Sequence, residues 1–208
     1  KVTAPADGDV GLYKFTFRIS STSVATTSSF RVFAYSTSDF GTQAYAINPI
    51  NSNDVSCVGG GSLELANTTN CNSNVQALGY ASSSLFHINV WFDPVTNTPS
   101  TPNAEAIQVP AGQSRYFKLV ANVTRATAGD SFSAALVGDD SFFPTLTTPG
   151  GSGIADNALS NASLVASSSR FVWSPDTTTT SATTSNDWLN GYLLPGLPTT
   201  EMSQQTFS

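Results

Sequence analysis

The 208-residue chain predicts an all-β, antiparallel sandwich of two sheets, and three observations carry that prediction. Apolar and polar residues alternate with period two in several segments. No window of a dozen residues shows a helical i, i+3, i+4 stripe. About a quarter of the positions are Ser or Thr, residues that are poor helix formers but fit strands and turns. Hydrophobic residues make up 39%, with thirteen Phe, so one large core can be filled.

The strands follow in order. From Leu12 to Ile19, Tyr13, Phe15, Phe17 and Ile19 point one way, and Lys14, Thr16 and Arg18 point the other, towards solvent. Ser29 to Ser36 sets Phe30, Val32 and Ala34 against Arg31, Phe33 and Tyr35; aromatics on both faces predict a central strand. Between Asp39 and Asn74 the pattern weakens, with short strands expected at Gln43–Ile47 and Ser62–Ala66. Leu85 to Phe92 alternates most strongly, with Phe86, Ile88, Val90 and Phe92 on one face, and it stops at Asp93-Pro94 because proline cannot donate to a ladder. Ala106–Val109 and Arg115–Thr124 flank the turn Pro110-Ala111-Gly112-Gln113, with Phe117, Leu119, Ala121 and Val123 inward. A Gly129-Asp130 turn precedes Ser131–Val137, and Arg170–Trp173 reads as a last strand. Seven or eight strands joined by loops suit a Greek-key arrangement, immunoglobulin-like or jelly-roll.

Cys57 and Cys71 bound a Gly- and Asn-rich loop, and pairing them would stabilise by about 3 kcal/mol through loop closure. One disulfide implies an oxidising, extracellular compartment. The sandwich is expected to span residues 1–176. A hydroxyl tract, Thr177–Ser185, then leads to an apolar segment up to residue 208. Trp188, Leu189, Tyr192, Leu193, Leu194 and Leu197 are too dense to lie in water, so this segment should dock on its own sandwich or on a neighbouring subunit.

Charge narrows the partners. Charged residues are only 11% and the net charge is −6. The eight cations (Lys1, Lys14, Arg18, Arg31, Arg115, Lys118, Arg125 and Arg170) form no run, which disfavours nucleic acid and anionic membranes. No stretch has the ~18 apolar residues of a membrane-spanning helix.

No catalytic set is apparent, and an enzyme is not expected. His87 is the single histidine, no G-x-S-x-G elbow is present, and only three Glu occur (Glu64, Glu105 and Glu201). Gly59–Gly61 and Gly150–Gly153 lack the lysine of a phosphate loop. No cofactor is expected, calcium being the one worth weighing. Asp7 with Asp9, and Asp139 with Asp140, place carboxylates close together in loops, as weak calcium sites do. Sequons stand at Asn67, Asn122 and Asn161, candidate glycosylation sites.

The opening K-V-T-A-P-A-D-G-D-V-G-L-Y-K-F-T-F (Lys1–Phe17) and the segment F-V-W-S-P…D-W-x-N-G-Y-x-x-P-G-L-P (Phe171–Pro198) resemble the C-terminal domains of uncharacterised secreted surface proteins of candidate-phylum bacteria. Ile107–Leu119 is similar to the strand–turn–strand of immunoglobulin-like bacterial surface modules. The resemblance implies a cell-surface location and carries no activity. The expected function is a structural subunit or terminal module of an extracellular layer, stalk or filament, associating with itself or with other surface domains. The alternative is an adhesin or carbohydrate-binding module that stacks glycans on Tyr35, Tyr45, Tyr80, Trp91 or Trp188.

Overall fold

The computed structural model describes residues 1–21, 26–46, 50, 75–82, 85–92, 107–124, 128–139, 145–146, 170–175, 188–192 and 194–207. Among these residues the chain is all-β, without helix, and every strand pair is antiparallel.

The larger sheet is organised around β2 (Val10–Ser21), the longest strand. One edge of β2 pairs with β5 (Leu85–Trp91) and, nearer its start, with β6 (Ile107–Val109). The opposite edge pairs with β8 (Phe132–Leu136) along Phe17–Ser21 and with β10 (Val172–Ser174) along Gly11–Lys14. Beyond β5 lies β4 (Val75–Ser82); beyond β10 lie β11 (Trp188–Asn190) and β9 (Thr145–Leu146); beyond β8 lies β12 (Gln205–Phe207). The smaller sheet runs β1 (Val2–Thr3), β7 (Ser114–Thr124), β3 (Thr26–Tyr35).

The two sheets meet at Phe15. Its ring is edge-on to Phe92 at 4.8 Å and to Phe117 of the smaller sheet at 5.1 Å, and stacked on Phe171 at 4.9 Å. Such pairs add about 0.5–1.5 kcal/mol each beyond the area they bury. The expected inward faces of β5 (Ile88, Val90 and, just past its end, Phe92) and β3 (Phe30, Val32 and Ala34) are all buried. The Pro110–Gln113 turn is closed by a Gln113 N–H donating to the Pro110 carbonyl at 2.9 Å, with Gly112 at φ 69°. A positive φ at the third turn position is what only glycine adopts without steric cost.

Two expectations are corrected. The strand at 29–36 is not central, because among the described residues β3 ends the smaller sheet. Its outer edge is covered by loop backbone instead: Ala44 N–H donates to the Ala34 carbonyl at 3.0 Å and Ile50 N–H to that of Val32 at 2.9 Å. Tyr35, one of the two aromatics on its outer face, packs edge-on against Phe40 in that same loop. The second correction is that Lys14 and Thr16 do not face solvent; they are 0% and 1% exposed. Strands flank β2 on both edges, and a buried carboxylate lies beside Lys14 to offset its charge. The strand expected at 43–47 reduces, over its described part, to one bridge between Tyr35 and Gln43. The strand expected at 62–66 lies outside the described residues, as do Cys57 and Cys71.

Candidate functional site

Two features emerge from the fold: a buried charged centre and an open apolar groove. The charged centre sits where β8 gives way to β10 along one edge of β2. Continuing the register from Phe17↔Leu136 brings position 139 level with Lys14, and the Val137 N–H still donates to the Thr16 carbonyl at 2.9 Å. Asp139 is 1% exposed. Its carboxylate accepts the backbone N–H of Arg170 at 2.9 and 3.0 Å, of Phe171 at 2.9 Å and of Gly191 at 3.1 Å. The side chain thus replaces a stretch of ladder, tying the start of β10 and the end of β11 to β8. Hydrogen bonds to a charged group contribute about 1.5–3 kcal/mol each. Burial pulls the Lys14 ammonium down to about 7; the Asp139 carboxylate opposes that shift and Arg170 adds to it. Neither group has a solvent-facing surface on which a dissolved substrate could act.

The other acidic residues weighed for calcium are placed differently. Asp7 is exposed in a turn, and Asp140 lies outside the described residues. Asp9 accepts the Ala111 N–H at 2.7 Å and the side-chain amide of Gln108, stitching the N-terminal segment to the β6–β7 hairpin. Among the described residues no three His, Cys, Asp or Glu side chains cluster. Of the sequons, Asn122 falls in β7, while Asn67 and Asn161 lie outside the described residues.

The apolar segment near the C-terminus enters its own sandwich. Trp188 and Leu189 belong to β11, Tyr192 is half-buried, and Leu194 and Leu197 pack against the core; Leu193 lies outside the described residues. The chain then turns along the outer edge of β8. Gly138 N–H donates to the Thr200 carbonyl at 2.9 Å, Met202 N–H to that of Leu136 at 2.8 Å, and β12 completes the run. Arg18 anchors this strap by pairing with Glu201 and donating to Gln204 at 3.2 Å.

Between the sheets, bordered by this strap, lies an apolar groove of about 930 Å³. Its floor is Phe15 and Phe17 of β2; Phe117, Leu119 and Ala121 of β7 form one wall, and Phe132, Ala134 and Leu136 of β8 the other. Phe40, Met202 and Phe207 stand on its rim at 42%, 43% and 62% exposure. They are the exposed large hydrophobic side chains among the described residues, and all three line the same groove. Burial along β8 shows how unfinished this part of the core is. Ser133 and Ala135 are buried, whereas Phe132, Ala134 and Leu136, which face the groove, are only half-buried. The groove also runs between strand edges. Among the described residues β7 pairs with β1 only at Ser114 and Arg115, and β12 ends its sheet.

Sequence reasoning singled out neither feature. The alternation of β7 and β8 announces two apolar faces, but which edge stays open depends on strand order. In sequence Asp139 reads only as a calcium ligand beside Asp140; the available signal for its real role is Lys14, the lone lysine of an apolar strand, whose charge needs a partner if that strand is paired on both edges. No family model, no curated protein and no solved structure matches the chain.

Proposed function

We propose that the chain is a structural cell-surface protein, a subunit or terminal module of an extracellular layer, stalk or filament. Its sandwich is read as Greek-key, immunoglobulin-like or jelly-roll, with Cys57 and Cys71 joined. The observation that carries this reading is the convergence of the exposed large apolar side chains on one open groove. Contiguous apolar surface of this kind marks contact with another macromolecule or a ligand. The sparse charge supports it: at 11% charged residues and a net charge of −6, few ions must be desolvated when surfaces meet.

The glycan-binding alternative draws less support from the described aromatics. The Tyr45 hydroxyl donates to the Gln108 carbonyl at 2.6 Å, and Tyr35 packs on Phe40. Electron microscopy of the purified chain tests the proposal. Layers or filaments are expected; dispersed particles together with specific retention on a glycan array would replace this reading with the adhesin one.

A further inference from the structure

We infer that the groove is a self-association surface, closed when two copies of this chain meet face to face about a two-fold axis, each placing its Phe207 in the groove of the other. This deepens the structural-module reading by naming the partner and the surface.

The choice of a second copy rests on what the patch contains. It carries a hole, walled by Leu119 and Ala134, and also the knobs that would fill such a hole: Phe40, Met202 and Phe207 on the rim. A surface holding both halves of a contact is self-complementary, which is the requirement for an isologous interface. A small apolar ligand would fill the hole and leave Phe207, at 62% exposure, still in water. A foreign chain would have to provide knobs that this chain already has.

Charge is consistent with the same geometry. The rim cations Lys1 and Lys118 lie at the N-terminus beside β1 and on β7, whereas the facing rim, at the start of β8 and along β12, presents Asp130, Ser131, Ser203 and Gln205. A two-fold axis running along the groove lays the β7 wall of one copy over the β12 wall of the other. Each cationic wall then meets one that carries the Asp130 carboxylate. The unpaired lengths of β7 and β12 face each other in that arrangement, so edge pairing can add to the apolar contact.

Sedimentation equilibrium of the full chain, from low to high micromolar concentration, tests this. A monomer–dimer equilibrium is expected, weakened about tenfold or more by Phe207→Asp, as for an anchor side chain at an interface centre. Met202→Asp, at a second exposed rim position, should weaken it too, and Arg31→Asp on exposed β3 should leave it unchanged. Far-UV circular dichroism checks each fold; if Phe207→Asp misfolds, Met202→Asp decides. A wild-type chain that stays monomeric overturns the inference, whether or not it takes up an apolar dye. So does a dimer indifferent to both rim substitutions. A dimer that forms no layers under the microscope would sink the structural-module reading and leave this inference standing. Layers formed equally well by Phe207→Asp would do the reverse.

Discussion

Lys14 and Asp139 occupy the part of the larger sheet where a mistake is costliest. With both nearly inaccessible, each charge depends on the other and on the three backbone N–H groups that Asp139 accepts. Asp139→Ala leaves those amides unsatisfied and Lys14 without its carboxylate. The expected loss is about 3–5 kcal/mol, read as a lower urea midpoint, since breaking a buried pair costs this much. A loss below about 1 kcal/mol would show that water or other groups take over. Lys14 makes a separate prediction through pH. Its ammonium titrates at about 7 in the folded state against about 10.4 unfolded, so between those values the unfolded chain holds the extra proton. Stability contributed by this group is therefore present above the unfolded value and is lost as pH falls through about 7. Tyr45 acts oppositely: burial pushes its hydroxyl up to about 12, so its contribution holds below about pH 10 and is lost as pH rises through 12. Urea midpoints should climb from pH 7 towards 10 and then fall. Lys14→Met should flatten the climb and Tyr45→Phe the fall; unchanged slopes in both variants would refute the assignment.

Individual elements differ in how clearly the sequence announces them. The spans of β2, β5, β7 and β8 are legible from period-two alternation, and the turn at Gly112 from Pro-Ala-Gly-Gln, because local chemistry fixes both. Of the short strands, β6 and β10 are legible from their apolar residues, whereas β1, β9, β11 and β12 are not: they are strands because a neighbour offers an edge. For β4, the Val75–Ser82 stretch mixes Gly, Gln and Ala with its apolar residues and exists as a partner of β5. The polar face of β2 misled for a related reason, since sequence shows that Lys14 is charged but not that Asp139 comes to lie level with it. The strap along β8 offers a direct test of an element held by tertiary contact. A Cβ at Gly138 would overlap the Pro198 carbonyl oxygen, and one at Gly191 would lie 2.9 Å from the Phe171 Cβ. Gly138→Ala should therefore push the strap from the β8 edge at a cost of about 1–3 kcal/mol, as overpacking does. Hydrogen exchange would report it as faster exchange at Gly138 and Met202, whose N–H groups bond across this edge. Protection equal to wild type at both amides would mean that the strap does not depend on the missing side chain.

At the scale of the whole molecule, one end of the sandwich is closed by Phe15, Phe92 and Phe171 while the other is left open at β7 and β8. That asymmetry separates two quantities that usually move together. A larger side chain in the groove fills empty space in the single chain, and filling a cavity commonly stabilises by about 0.5–2 kcal/mol. The same side chain removes the hole that a second copy would use. Ala134 is the position to change: it is half-buried, lies in the middle of β8 and faces the groove from the wall opposite Leu119. Ala134→Leu is expected to raise the urea midpoint, measured below the dissociation concentration so that mass action does not contribute. In the same protein the dimer should weaken about tenfold, the effect of blocking a central interface pocket. A core position would show only the first change, and an ordinary surface position neither. If Ala134→Leu lowers stability, the groove is already filled in the native state. If it leaves association intact, the contact between copies lies elsewhere on the molecule.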